Sequence, residues 1–386
     1  TLAFAGIIFC ALVFCCAGLA WRPLIKPLVT ILLLMAALGA YAMWQYGVVL
    51  DPSMLTNALQ TDTREVRDLL SVKLLGFVVV LAGLPAWWLW RQPLAPAAGW
   101  LRTLGKNMLA CALALLLLLA LLWAVFRPFA SLMRNEMQVR YLINPLNSMW
   151  SLGVVAAKPF QKPKTLEPIG LDAKWTGQAN ARPKLLIVVL GETGRAGNFR
   201  LNGYARATNP LLSQRHRVVS FSQVQSCGTS TAASVPCMFA PQGRLAFDHD
   251  GNQESLLDVL QRAGLAVLWV DNQSGCKGVC DRVPTVETTL EKDKAYCSTG
   301  ECFDAIMLAH LEAQIAQLPA ERRARGVVVV LHQMGSHGPD YYKRSPASVK
   351  RFAPECRSND LPSCSRQNII NAYDNSIVYT DFLLDQ

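Results

Sequence analysis

Apolar and polar positions are distributed unevenly along this chain. Before about Pro128 long apolar runs dominate; after it, short apolar runs alternate with polar stretches. Four runs, at residues 1–20, 28–50, 74–90 and 108–126, have the roughly 17–25 residues that a helix needs to cross a bilayer. The third is short and is interrupted by Pro85. Any one of them alone would pass for a buried core helix, but four in succession, in a chain of 386 residues, leave too little else to bury them. Residues 1–126 are therefore predicted to form a four-span helical anchor with an outer loop at 51–73.

Residues 127–152 set Phe129, Leu132, Met133, Met137, Tyr141 and Leu142 beside Arg134, Glu136 and Arg140, the pattern of a helix lying along a membrane surface. Residues 158–184 are rich in Pro, Lys and Gly and read as a linker, so that 127–184 joins the anchor to a globular part at 185–386. That part opens on Leu185-Leu-Ile-Val-Val-Leu190, bounded by Pro183 and Gly191. A continuous apolar run suits a central strand buried on both faces. Residues 264–270 and 327–331 have the same character, with helical patterns at 254–262 and 303–318. Strands alternating with helices predict an α/β domain around a mostly parallel sheet. Functional groups of such sheets gather beyond the carboxyl ends of the strands, which directs attention to Glu192, Asp271 and the stretch from His332 to His337.

Charge adds sidedness. Arg22 and Lys26 lie between the first two runs, and Arg91, Arg102 and Lys106 between the last two; short basic loops stay cytoplasmic. The loop with Asp51, Asp62, Glu65 and Asp68 belongs on the other side, with the large C-terminal part. This arrangement puts Thr1 outside with neither a signal peptide nor an initiator Met, so a further span is expected upstream. The net charge of +10 is scattered, with no aromatic–basic stripe, which argues against nucleic acid as a partner. Basic residues that set topology and meet anionic headgroups account for it better.

Four of the cysteines, Cys10, Cys15, Cys16 and Cys111, lie inside the apolar runs, where a thiol is a small apolar residue. The other eight fall in close pairs: Cys227 with Cys237, Cys276 with Cys280, Cys297 with Cys302, and Cys356 with Cys364. An even number of closely spaced cysteines predicts local disulfides in an oxidising compartment. The rival is a zinc ribbon, for which Cys276-Lys-Gly-Val-Cys280 has a usable spacing but no second knuckle.

Three places carry candidate chemistry. Glu192 directly follows the first apolar run; a carboxylate there suits a metal ligand, or is an ordinary strand-end acid. Thr231 sits in Ser226-Cys-Gly-Thr-Ser-Thr-Ala-Ala-Ser-Val-Pro-Cys237. Its hydroxyl would need a metal to become a good nucleophile, and a Ser/Thr-rich turn is the commoner meaning of such a string. His332 and His337 follow another apolar run and precede Gly338-Pro339; histidines at a strand end bind metal, contact phosphate or are structural.

The longer strings are specific. Gly191-Glu-Thr-x-Arg-Ala-x-Asn-Phe199, Leu201-Asn-Gly-Tyr204 and Thr208-Asn-Pro210 resemble the lipid A phosphoethanolamine transferases, the family of the mobile colistin-resistance enzymes. So do the cysteine-bounded string around Thr231, Gly275-Cys-Lys-Gly-x-Cys-Asp-Arg-Val-Pro284, Gly300-Glu-Cys302, the stretch 332–342 and Tyr373-Asp-Asn375. The resemblance implies an alkaline-phosphatase/sulfatase-like domain behind a multi-pass anchor in the bacterial inner membrane, facing the periplasm. It implies zinc bound in part by Glu192 and Thr231, with Thr231 as nucleophile. Phosphatidylethanolamine would donate phosphoethanolamine to the threonine, diacylglycerol would leave, and a lipid A phosphate of the lipopolysaccharide would accept the group, conferring polymyxin and colistin resistance. Ser274, Lys277 and His337 match positions that line the substrate site. Asn57, Thr61 and Glu65 match it in the outer loop, where i, i+4, i+8 spacing gives one helical stripe, or simply a solvated amphipathic helix.

One departure stands against this. The family takes two further zinc ligands from an Asp-His-Gly motif after a later strand, and this sequence contains none; Asp248-His249-Asp250 is the nearest string, in a loop. Zinc takes three protein ligands and an open position, or four. The chain as it stands is therefore expected to bind zinc poorly and to turn over slowly or not at all, and to be an internal piece of a longer enzyme. The alternatives are transfer to a core-oligosaccharide sugar, which mass spectrometry of lipid A would separate; a sulfatase or phosphatase, which would release free anion; and a zinc-free pseudoenzyme that binds lipid.

Overall fold

The structure is a computed structural model that describes residues 2–59, 70–94, 99–135, 139, 141–157, 165–177, 182–248, 251–288, 293–298 and 301–386. Thr61, Glu65, Glu136, Met137, Arg140, His249, Asp250 and Gly300 lie outside the described residues. Two compact units emerge, one reaching to Gln60 and continuing over Leu70–Lys162, the other containing Pro163–Gln386.

In the first unit the apolar runs become the helices Leu2–Gly18, Ile25–Tyr46, Val72–Arg91 and Trp100–Ala124. The last three are long and apolar enough to cross a membrane, and Leu2–Gly18 is a shorter apolar helix. The helix Trp100–Ala124 exposes Leu113, Leu116, Leu119 and Trp123, and exposed apolar surface of this kind marks contact with lipid or other protein. Pro85 does not break its helix. The turn Val79–Gly83 widens to π geometry just ahead of it, which makes room where the proline ring meets the preceding turn. Lys26 Nζ donates to the carbonyls of Trp90, at 2.9 Å, and Gln92, at 2.8 Å, a cation placed where a helix C-terminus carries negative potential. Among the described residues, the amphipathic stretch carries the helices Phe126–Asn135 and Leu146–Ala157. Pro145 stands directly before the second, and the residue before a proline is driven out of helical geometry. Asn147 Nδ2 and Ser151 Oγ both donate to the Leu50 carbonyl, at 2.9 and 2.8 Å, next to the short helix Pro52–Leu59.

The second unit is built on a parallel sheet in the order β1 (Leu185–Leu190), β6 (Val327–His332), β2 (Ala266–Asp271), β3 (Thr285–Glu287). Residues of β2 alternate between two packed layers. Val267 and Trp269 join Val235, Phe239 and Leu257, whereas Ala266, Leu268 and Val270 join Ile306, Met307 and Leu383. Helices thus cover both faces, as alternating strands and helices require. A two-stranded hairpin, β4 (Cys297–Ser298) with β5 (Glu301–Cys302), stands apart from the sheet.

Three expectations change. First, among the described residues β1 is an edge of the sheet, pairing with β6, and Leu185 and Leu186 are 56% and 54% exposed. Second, the patterned stretch 303–318 divides into Ile306–Ala309 and Leu311–Ala316 at His310, whose φ and ψ of −124° and 12° leave the helix. Third, part of the linker is docked. Glu167 bridges to Gln253, Arg262 donates to the Ile169 carbonyl, and Trp175 Nε1 donates to the Arg325 carbonyl. Globular structure therefore begins well before residue 185.

Candidate active site

The parallel register aligns Leu190, His332 and Asp271 at one edge of the sheet, so that everything following these strands meets there. Glu192 comes two residues after β1. Thr231 is the first residue of the helix Thr231–Met238. Thr231 Oγ1 donates to Glu192 Oε2 at 3.0 Å, bringing together two residues 39 positions apart in the sequence. The disulfide Cys227–Cys237 ties the loop before this helix to its last turn, and Ser226 and Ser234 hydroxyls meet at 2.8 Å across it. Ser230 makes no side-chain cap on the first turn.

Glu192 is held from several directions. Its carbonyl accepts from Ser336 N at 3.0 Å, and its Oε1 accepts from Thr193 Oγ1 at 2.6 Å. Gly335, at φ 55°, lies so close that a Cβ there would be 2.7 Å from the Glu192 carbonyl oxygen. Thr193 itself has φ 52°, an outlier for a β-branched residue. Tyr373 stabilises that turn: its hydroxyl donates to the Thr193 carbonyl and accepts from Arg195 N, both at 2.7 Å. Burial raises the pKa of this phenol, so the hydroxyl proton stays in place. Asp304 does the same for the facing loop, accepting from Met334 N at 2.7 Å and Gly335 N at 3.0 Å. Burial drives its carboxyl pKa upward against these hydrogen bonds.

Asp271 and His332 form a second buried pair, with His332 Nδ1 and Asp271 Oδ2 3.0 Å apart. Burial pushes the Asp271 pKa up most strongly, but His332, the Trp269 indole and Gln273 N together hold it below the ordinary value. Asp271 Oδ1 also accepts from Gln273 N and Gly275 N, at 2.8 and 3.2 Å, which fixes the start of the Ser274–Lys277 loop. Within that loop Lys277 Nζ donates to the Ser274 carbonyl at 2.8 Å and meets its hydroxyl at 3.3 Å. Lys277 has φ 52°, a conformation held by the disulfide Cys276–Cys280 closing around it. That bond also answers the zinc-ribbon alternative. Cys276, Cys280 and Asp281 are the one group of three donors close enough for an ion among the described residues, but two sulfurs bonded to each other are not thiolate ligands. The pairs Cys297–Cys302 and Cys356–Cys364 are likewise joined.

His337 lies in the loop after β6, its carbonyl accepting from Arg344 Nε at 2.7 Å. Asn57 lies on the helix Pro52–Leu59 of the first unit. Motif reading missed the positioning residues Tyr373, Gly335 and Asp304. Tyr373 and Gly335 lie within the family-like stretches 373–375 and 332–342, and the signal for Tyr373 is polar character on a face of the helix Arg366–Asp385 that buries Asn371, Asp374 and Asn375.

Residues 8–160 match the family model for phosphoethanolamine transferase EptA/EptB, and residues 184–386 match the sulfatase model. Phosphoethanolamine transferase EptA of Escherichia coli K12 is 38% identical over 94% of this chain and 66% of its own length. Phosphatidylethanolamine transferase Mcr-1 of Escherichia coli is 37% identical over 95% of this chain and 69% of its own. The chain thus spans about two thirds of the length of these relatives, just short of it for EptA. Among solved structures, the integral membrane lipooligosaccharide phosphoethanolamine transferase A of Neisseria meningitidis superposes with a TM-score of 0.88 at 34% identity, covering 96% of this chain and 69% of that one. With helices fit to span a bilayer followed by a sulfatase-like α/β unit, this integral membrane protein belongs to the EptA/EptB phosphoethanolamine transferase family.

Proposed function

We propose that the protein transfers phosphoethanolamine from phosphatidylethanolamine to a lipid A phosphate, through an adduct on Thr231, at the periplasmic face of the bacterial inner membrane. The observation that carries this reading is the 3.0 Å hydrogen bond from Thr231 Oγ1 to Glu192 Oε2 at the carboxyl edge of the sheet. Kinship with EptA and Mcr-1 supports it, and the four disulfides suit an oxidising periplasm.

In the first step Thr231 Oγ attacks the donor phosphorus, the bond to diacylglycerol breaks, and diacylglycerol leaves as the alcohol. Glu192 Oε2 accepts the hydroxyl hydrogen bond, which aims an oxygen lone pair at the incoming phosphorus. N–H groups at the start of the helix Thr231–Met238 face an anion favourably, and the Lys277 ammonium offsets charge that builds on the phosphoryl oxygens. Asn57, Thr61 and Glu65 are assigned to the donor headgroup, Glu65 pairing with its ammonium.

The donors present suit zinc in part. A carboxylate and a hydroxyl oxygen converge, and buried His332 Nε2 at the same sheet edge has no hydrogen-bond partner among the described residues, as a ligand-facing atom would. Glu192 and Thr231 would hold the ion. When bound, zinc lowers the proton affinity of the coordinated hydroxyl and polarises the phosphoryl oxygen. Glu192 and Thr231 supply two of the three or four protein ligands that zinc usually takes.

The test is to quench the full-length natural protein during turnover and digest it. The peptide spanning Thr231 should carry the mass of one phosphoethanolamine, and Thr231→Ala should carry none while remaining folded. An unmodified peptide, or normal transfer by the alanine variant, would refute the nucleophile. Lipid A that gains no phosphoethanolamine while the core oligosaccharide does would reassign the acceptor.

A further inference from the structure

Against the Glu192–Thr193 turn lies an open cleft of about 220 Å³, lined by Arg195, Asn198, Tyr341, Ile369, Ile370 and Tyr373. It is joined to the catalytic pair through a single side chain. The Tyr373 hydroxyl that holds the Thr193 carbonyl and Arg195 N belongs to the ring that forms one wall. Tyr341 meets that ring edge-on, with centroids 5.3 Å apart and planes at 87°. Its own ring lies across Gly338, where a Cβ would come within 2.8 Å of the Tyr341 hydroxyl, so the aromatic wall is continuous with the loop that carries His337. Ile369 and Ile370, half-buried on the helix Arg366–Asp385, close the other side.

Arg195 is the charged group of this cleft. Other arginines of the unit are committed: Arg206 to Asp374, Arg215 to Asp385, Arg262 to Glu254, Arg282 to Asp258 and Arg344 to Glu301. Arg195 is exposed, only its backbone N–H is used by Tyr373, and its guanidinium has no carboxylate partner among the described residues. A guanidinium without a carboxylate, beside apolar and aromatic walls, is suited to an oxyanion borne on a carbon skeleton; its planar fork matches phosphate in bidentate fashion. At about 220 Å³ the space is smaller than the roughly 300–1,000 Å³ of sites that enclose drug-sized ligands, and it suits one phosphate with the sugar ring that carries it.

We propose that this cleft is the acceptor subsite, in which Arg195 pairs with the phosphate monoester of the acceptor while Tyr341, Tyr373 and the two isoleucines receive the attached sugar. The inference rests on the transfer reading above and adds where the second substrate sits. An oxygen of the bound monoester attacks the phosphorus held on Thr231, a new P–O–P linkage forms, and the bond from phosphorus to Thr231 Oγ breaks. The electron pair returns to Oγ, which regains a proton, and phosphoethanolamine departs on the acceptor. Arg195 offsets the charge of the attacking monoester, so it serves the second step and not the first.

The experiment separates the two steps in the full-length natural protein reconstituted in phosphatidylethanolamine vesicles. Diacylglycerol release in a single turnover without acceptor reports the first step; transfer to a phosphorylated lipid A, titrated in concentration, reports the second. Arg195→Gln should release diacylglycerol at the wild-type rate and lose about 10- to 100-fold in kcat/KM for the acceptor, the range for one charged hydrogen-bonded contact. Arg195→Lys should recover part of that loss. Ile370→Glu, which sets a carboxylate across the cleft without touching the hydrogen bonds of Tyr373, should weaken acceptor use likewise and provides a reading if the arginine variant folds badly. Unchanged acceptor kcat/KM in both variants, or an equal loss in both steps, would overturn the subsite. Wild-type protein that releases no diacylglycerol and forms no adduct would instead bring down the transfer reading and the subsite with it.

Discussion

Tyr373→Phe is the most informative single change outside the Glu192–Thr231 pair. The substitution removes one oxygen and leaves the ring, so the edge contact with Tyr341 at 5.3 Å survives. What is lost is the hydroxyl that joins the Thr193 carbonyl to Arg195 N, two contacts of 2.7 Å each. Two neutral hydrogen bonds contribute about 0.5–1.5 kcal/mol apiece, so stability should fall by roughly 1–3 kcal/mol. For a unit of this size that is roughly 2–12 °C in melting temperature. The change also releases Thr193, whose positive φ costs on the order of 1–3 kcal/mol and persists only where its surroundings enforce it. Once that turn relaxes, Glu192 shifts relative to Thr231, and a displacement of about 1 Å at a reacting group costs about 10²-fold in rate. Thermal unfolding in detergent, paired with single-turnover diacylglycerol release, measures both effects. Wild-type melting and wild-type release together would show that the tyrosine does not hold the turn.

Other outcomes are expected. Glu192→Ala should lose metal content together with transfer, read by elemental analysis beside activity; full occupancy would remove Glu192 from the ligand set. Reductant should lower the melting temperature, since the disulfides close loops of 10, 4, 5 and 8 residues and loops of such length contribute roughly 2–3 kcal/mol each; an unchanged transition would mean that these sulfurs are not bonded. Asp258 is desolvated by burial, yet Arg282 and the Ser255 contacts hold its pKa below 3.8. A depressed carboxyl pKa stabilises the fold above the unfolded value and loses that effect as pH falls through the folded one. Wild type should therefore exceed Asp258→Asn in stability at neutral pH and converge with it below about pH 3.8; parallel curves would contradict the coupling to Arg282.

The linear pattern alone settled much of this protein. Apolar runs of spanning length became helices because membrane insertion depends on local composition, which a sequence states directly. The β6 and β2 runs became buried strands of a parallel sheet for a related reason: strands covered on both faces must be apolar throughout. The close cysteine pairs joined as their spacing suggested. Glu192, Thr231 and Lys277 stood out through the strings around them.

Tertiary structure decided the rest, because it depends on contacts between residues far apart in the chain. The contact of Thr231 with Glu192 spans 39 positions, and that of Tyr373 with Thr193 spans 180; no local pattern encodes either. The edge position of β1 among the described strands could not be read from its composition, since an apolar strand reads the same with one neighbour or two. The docking of 165–177 rests on Arg262 and Gln253 reaching back to a stretch whose own sequence reads as linker. Sequence named the chemically able groups; the fold chose which of them meet, because a hydrogen bond is made between neighbours in space.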